Sequence, residues 1–247
     1  MSTTESPAGS HGSGGEPREE PRASRRRRRT RARLLRASLD LMAERGMEGV
    51  AINEITEAAD VGFGTFYNYF DSKEAIYDAL IEEVVQGFGN ALDRIAEHVD
   101  DPAEVLAASV RYTLQRAHDE PVWGSFLIRS GFSGRALERG LGPRLLRDVK
   151  HGIRAGRFEA LDLPATILAV RGVVLSAIDA QVELARATTN DSGFAASLGV
   201  DAKTLPAGAA AMLLRLLGLE TNDAREVTSR PLPTIALGPA SDAGTSG

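Results

Sequence analysis

The 247-residue chain has no cysteine, which excludes disulfides, thiol catalysis and thiolate metal sites. Its four histidines, His11, His98, His118 and His151, show no tight ligand spacing, and isolated histidines are more often surface or satisfied core groups than ligands. There is no P-loop and no nucleophile elbow. Two Gly-Phe-Gly triplets, at 62–64 and 87–89, resemble the opening of a dinucleotide fingerprint, but neither has a glycine three residues later or a strand before it. Nothing sets a base beside a nucleophile, so the expectation is a protein that is not an enzyme and carries no metal or cofactor. No uninterrupted apolar run approaches ~18 residues and no signal-like segment opens the chain, so neither membrane span nor signal peptide is expected, and a cytoplasmic protein is the default. Convincing strand alternation is also missing. The apolar content of 43% falls at helical spacing, which makes the fold class all-α with enough core for one or two domains.

Aromatic residues are scarce, only 5% of the chain, yet Phe66, Tyr67, Tyr69 and Phe70 fall within five positions. The stretch around them, residues 52–70, reads INEITEAADVGFGTFYNYF. Ile52, Ile55 and Ala59 give a short helix one apolar face. Asp60 stands where the chain must reverse and tolerates the left-handed conformation, and Val61 plugs the corner. Gly62 is an acceptable N-cap for a second helix over 63–69. Two helices joined by such a turn make a helix-turn-helix, whose second helix can enter the major groove of DNA. Phe66 and Phe70, four apart, can pair in a small core, leaving Thr65, Tyr67, Asn68 and Tyr69 to offer hydroxyl and amide groups to phosphates and base edges. The competing reading places all four aromatics in the core.

These residues occur in an order that resembles the TetR family of bacterial transcriptional repressors. Residues 35–46 look like its first helix and following glycine, 50–59 its second helix, and Val61, Gly64, Thr65, Phe66, Tyr67, Tyr69 and Phe70 its recognition-helix signature. Asp71, Ser72, Lys73 and Glu74 resemble the start of its fourth helix, with Lys73 a phosphate contact. The sequence departs from the family pattern at Thr56, Asp60, Gly62 and Phe63, where a small residue, Gly, Ser and a polar or basic residue are usual. Phe63 replaces base-contacting chemistry with a group suited to a thymine methyl. The resemblance implies a repressor that binds double-stranded DNA as a homodimer and is released by a small-molecule effector held in its helical body. The alternative is a helical interaction or scaffold protein whose basic end binds nucleic acid without sequence choice.

Net charge is −5, but residues 22–70 hold ten arginines against six acids, a surplus of +4 that leaves −9 on the remainder. A basic end can meet phosphates while an acidic body limits indiscriminate attraction to nucleic acid, as a nucleoid-associated protein requires. Residues 1–24, rich in Ser, Gly, Pro and Glu, are expected to be disordered. Arg25, Arg26, Arg27, Arg28 and Arg29 read either as a solvated charge run or as an arm that reaches phosphates or a narrow minor groove, with Arg31 following on the open face of the first helix.

The DNA-binding domain is therefore placed at 25–70, a ligand-binding and dimerisation domain at 71–219 and a flexible tail at 220–247. Asp71 with Glu74 has capping-box spacing at the head of a long helix, in which Gly87 and Gly89 predict a bend. Further helices are predicted over 102–117, 121–129, 135–156, 164–187 and 204–217. The last two carry more apolar surface than one subunit needs, and pairing them across a two-fold axis makes a four-helix bundle, with Val174, Ile178, Leu213, Leu214 and Leu217 at the seam. The same helices could instead complete a monomeric core. For the effector that the resemblance implies, Phe88, Tyr112, Trp123, Phe126 and Phe132 offer apolar faces and Arg129, Arg171 and Asp179 polar anchors, although a Trp and several Phe at helical spacing are more often plain core.

Overall fold

Nine arginines between positions 22 and 36 stand in a single helix. Arginine is a good helix former, and the computed structural model, which describes residues 22–131, 140–160, 162–187 and 193–234, carries α1 (Arg22–Arg45) back through the whole arginine run. The basic segment is thus helical and continuous with the domain, where the sequence suggested an arm. Residues 1–21 lie outside the described part. Leu34, Leu35, Ala37, Met42 and Ala43 form the buried stripe of α1, and Gly46, at φ 75°, ends it.

The helix-turn-helix follows. α2 (Ile52–Ala58) starts at Ala51, whose N–H donates to Glu54 Oε2 at 2.8 Å. Ala51 N–H and then Arg45 Nη1, at 2.7 Å, hold the Glu54 carboxyl below the usual carboxylate range. Because the folded-state pKa is the lower one, this contribution is present at neutral pH and disappears as pH falls through that lowered value. The melting-temperature gap between wild type and Glu54→Gln is therefore expected to be open near pH 7 and to close in acid as the carboxyl takes up its proton. A gap that persists in acid would show that the two differ for another reason.

Asp60 adopts φ +49°, as its place in the corner requires, and Arg33 fastens it by donating to its carbonyl at 2.6 Å and its carboxylate at 2.8 Å. A β-carbon in this region costs ~1–2 kcal/mol. Asp60→Ala is accordingly expected to be less stable than Asp60→Gly by about 1 kcal/mol in urea unfolding, since both lose the Arg33 pairing and only one keeps the strain. The second helix, α3 (Phe63–Phe66), is one turn, shorter than predicted. Residues 67–70 continue it as turns in which the N–H groups of Asn68, Tyr69 and Phe70 donate to Thr65 and Phe66 carbonyls.

The link to the body is one long helical run with a change of register inside it. Ser72, one residue after the expected Asp71, caps α4 (Lys73–Leu80) by accepting from Ala75 N–H at 3.1 Å. A π-helical segment, Ile81–Gln86, then passes directly into α5 (Gly87–Ala96). The predicted bend at the glycines gives way to this wide turn just before them. Gly89 has a different reason to be glycine, since a β-carbon there would stand 2.6 Å from Arg144 Cζ.

α6 (Pro102–Asp119) is the axis of the body, packing on α5, on α7 (Pro121–Gly131), on α8 (Gly142–Arg154), on α9 (Leu163–Arg186), on α11 (Leu205–Leu216) and on α12 (Thr221–Ser229). A one-turn helix, α10 (Phe194–Ser197), rests on α9. α12 corrects the expectation of a loose tail from 220 onward. Ala224 and Val227 are buried, and Arg157 joins its Asp223 to Asp101, the N-cap of α6, at 2.6 and 2.9 Å. Residues 235–247 of the expected tail lie outside the described part.

Because α12 covers α11, Leu213, Leu214 and Leu217 are fully buried inside one subunit. Ile178 is buried as well, and Val174 is half-buried against a cavity. These five do not form an open seam. α9 is long and apolar enough to cross a membrane by length and composition, a property that the count of uninterrupted apolar residues missed, and 22% of its most apolar window is buried within the subunit. Its open face instead shows Leu168, Gly172 and Ser176, and that of α11 shows Gly208, Met212 and Leu216. Both are i, i+4, i+8 rows. Leu168, Met212 and Leu216 are 63%, 57% and 42% exposed, and no atom lies within 4 Å of a β-carbon added at Gly172 or Gly208.

Candidate nucleic-acid interface and ligand cavity

At the helix-turn-helix the core pair is Phe66 with Phe70, both buried with ring centroids 5.8 Å apart. That anchoring turns the rest of α3 outward. Phe63 is 55% and Tyr67 49% exposed, their rings in edge contact at 5.7 Å, and Gly62 and Asn68 are exposed beside a half-buried Thr65. Tyr69 is half-buried beneath Arg27, whose Cζ lies 5.1 Å from its ring centroid, while Arg31 covers Phe70 at 5.4 Å and pairs with Glu83. Lys73 donates to the Val50 carbonyl at 3.0 Å, which ties α4 to the corner and leaves its other two N–H groups for a phosphate.

Helical spacing distributes the arginines. Arg22, Arg25, Arg26, Arg29 and Arg33 line an open groove against Asp60, Gly62 and Thr65. Arg22, Arg26 and Arg27 also line a second groove, against Thr65, Asn68 and Tyr69. Arg28 is exposed on the same helix. Arg22 and Arg33 were not among the sequence candidates. The 3.6-residue period that places them beside Arg26 and Arg29 was available, but reading the arginine run as an arm concealed it.

The body contains a separate cavity of about 140 Å³ lined by the π segment and by α5, α6, α7, α8 and α9. Its apolar wall includes Ile81, Val85, Leu106, Val110, Leu145 and Ile178. Thr113 and Ser130 also line it, with their hydroxyls donating to the Ser109 and Phe126 carbonyls at 2.7 Å. Asp93 and Asp148 stand on the rim with Arg144 and Arg171, so the polar wall offers donors as well as acceptors. Burial would raise the Asp93 carboxyl, but hydrogen bonds from Arg147 and Arg144 outweigh it and leave the carboxyl below its usual range. Asp148 goes the other way, because burial outweighs its contact with Arg147.

Of the expected effector contacts among the described residues, only Arg171 lines this cavity. Phe88 and Trp123 pack edge to face at 5.1 Å with the Arg116 guanidinium over both rings, and Phe126 packs on Tyr77. All three are buried core, joining the linking helix to α7. The Tyr112 hydroxyl donates to the Pro233 carbonyl, and Arg129 and Asp179 are exposed. Phe132 lies outside the described residues. Small side chains opposite aliphatic ones make the hollow; the large aromatics fill space elsewhere.

Comparison with known proteins agrees with both halves of this arrangement. The description "Bacterial regulatory proteins, tetR family" matches residues 34–80, and "Tetracyclin repressor-like, C-terminal domain" matches residues 101–230. The chain is similar to the HTH-type transcriptional regulator TcmR of Streptomyces glaucescens, 31% identical over 100 residues, which are 40% of this chain and 44% of TcmR. It is 32% identical over 78 residues to the HTH-type transcriptional repressor KstR2 of Rhodococcus jostii, covering 31% of this chain and 38% of that protein. These matches span less than half the length of the curated relatives. The crystal structure of RolR in complex with resorcinol matches over 86% of this chain and 100% of that one, with 39% identity and a TM-score of 0.60. With the second description alone matching more than half of its residues, the chain belongs to the TetR family of bacterial regulatory proteins.

Proposed function

We propose that the protein is a cytoplasmic, nucleoid-associated transcriptional repressor that binds a palindromic operator as a homodimer and releases it on binding a small hydroxylated ring compound. The observation that carries the DNA-binding reading is the outward face of α3, with Phe63, Tyr67 and Asn68 exposed over a buried Phe66–Phe70 pair beside an arginine-lined groove. Residues 22–70 form the DNA-binding domain, and 71–230 the ligand-binding and dimerisation domain. A single one-turn reader buries little surface. Two readers held ~34–36 Å apart reach successive major grooves, and the open rows on α9 and α11 supply the face that holds them.

The cavity supports the ligand class. Drug-sized ligands occupy pockets of ~300–1,000 Å³, so about 140 Å³ suits one ring, and a polar wall of hydroxyls, carboxylates and guanidiniums suits ligand hydroxyls, which both donate and accept. RolR with its bound resorcinol supports the same reading.

Selection of bound sites from random DNA tests the function, since it reports operator sequence and half-site spacing together. A repressor should retain a preference of typically ~10³ or more for its site over random duplex, whereas a non-specific nucleic-acid binder should select nothing. Phe63→Ala is expected to relax preference at one base pair by about 1–3 kcal/mol, because alanine no longer reaches a thymine methyl. An unchanged preference at every position of the site would remove that role from Phe63.

A further inference from the structure

Residues 22–33 of α1 precede the stretch, 34–80, that matches the family, and every side chain from Arg22 to Arg29 is exposed. Like charges three and four residues apart on a helix repel, so this stretch gains no local stability from its arginines. They fall into two sets. Arg31, Arg33 and Arg36 are each paired with an acid, Glu83, Asp60 and Asp40, and Arg27 lies over the Tyr69 ring. Arg22, Arg25, Arg26 and Arg29 have no acidic partner among the described residues, and all four line the groove beside Asp60 and Gly62. The 3.6-residue period puts these four on one stripe roughly 100° wide.

That groove has a basic wall, α1, and a second wall made by the helix-turn-helix corner, Asp60, Val61, Gly62 and Thr65. Its volume is about 820 Å³, against about 140 Å³ for the cavity of the body, so it is open enough for a length of polymer and too wide for one small anion to bridge. Asp60 is the acid in its wall, and Arg33 pairs with that carboxylate at 2.8 Å. Gly62 caps the reader and Thr65 lies within it, so a reader placed in a major groove brings the strand bordering that groove to this opening. We infer that one sugar-phosphate strand of the operator runs through the groove, with the reader on one side of it and Arg22, Arg25, Arg26 and Arg29 on the other. This rests on the DNA-binding reading given above. The guanidiniums then meet phosphates that neither α3 nor Lys73 touches, and they position the duplex without reading its bases. From Arg22 to Arg29 the helix rises ~10 Å, along which a strand passing alongside offers about three phosphates at ~3.4 Å of duplex axis each.

The experiment replaces the phosphates of the selected operator one at a time by neutral methylphosphonates, along both strands, and measures the affinity of the full chain for each duplex. Wild type is expected to lose about 3- to 10-fold at each of a few consecutive positions on one strand of each half-site, the size of a single phosphate contact. Arg25 and Arg29 line this groove and not the second one, which Arg27 lines. The double variant Arg25→Gln, Arg29→Gln should therefore abolish the losses at those positions and keep the losses elsewhere, whereas Arg27→Gln should keep the consecutive set. All three side chains are exposed, so the variants should melt as wild type does. A consecutive set that survives in the double variant overturns the proposal, as do abolished losses that are scattered over both strands. If site selection returns no operator, the repressor reading fails and the strand groove is judged on random duplex instead. There a shallower dependence of affinity on salt in the double variant than in Arg27→Gln supports it, and equal slopes overturn it.

Discussion

Gly172→Glu and Gly208→Glu are expected to turn a dimer into a folded monomer that no longer holds its operator. Within one subunit both glycines are exposed and a β-carbon added at either meets nothing within 4 Å, so a longer side chain has an open path to solvent. Across a two-fold interface the same carboxylate is buried against Leu168, Met212 or Leu216, and symmetry presents every substitution twice. An unpaired buried charge costs several kcal/mol, and each 1.4 kcal/mol is about tenfold in the dissociation constant, so dimer affinity should fall by at least ~10³. Sedimentation velocity with a parallel melting curve separates the two effects. Leu214→Asp provides the contrast. Its side chain is fully buried beneath α12, so that variant should unfold the subunit. If both glycine variants sediment as wild type, these two open rows are not a subunit interface.

Replacing Arg22, Arg25, Arg26 and Arg29 together by glutamine should weaken binding to operator and random duplex alike, leaving their ratio nearly unchanged. Removing one neutralised phosphate flattens the dependence of log affinity on log salt by ~0.9, so four fewer pairings in each subunit of a dimer reduce the slope by up to ~7.2. The effect is largest at low salt, where released counterions contribute most. Binding titrations between about 50 and 200 mM salt measure the slope directly. An unaltered slope would mean that the arginines lining this groove are solvated charge, and a changed operator-to-random ratio would mean that they read bases or groove width. Phe63→Ala makes the opposite pattern, a changed preference with an unchanged slope.

Much of the DNA-facing half was legible because its determinants are local. Phe66 and Phe70 are four residues apart and share a helical face, which leaves Tyr67 and Asn68 turned outward as expected, while Thr65 and Tyr69 are half-buried. Asp60 entered the left-handed region because few other residues tolerate a reversal there, and the helices of the body were visible from prolines at first turns and apolar spacing. The arginine run was misjudged for want of one local fact, that arginine continues a helix unless something stops it.

The sequence by itself determined the helix-turn-helix, the exposed face of its reader, the basic end and the succession of apolar helices, since each depends on contacts within about ten residues. Only the tertiary structure decided which apolar surfaces remain open and where the hollow lies. α12 meets α11 and α6 through side chains far apart in the chain, and it buries Leu213, Leu214 and Leu217 while leaving Met212 and Leu216 outside. The cavity likewise is what remains between five packed helices and the π segment, and its volume depends on how all their side chains interdigitate. Composition identifies large aromatics as candidates to line a pocket. Close packing instead sets Phe88, Trp123 and Phe126 where bulk is needed to join helices, and leaves the cavity to small and branched residues whose sum of volumes falls short of the space.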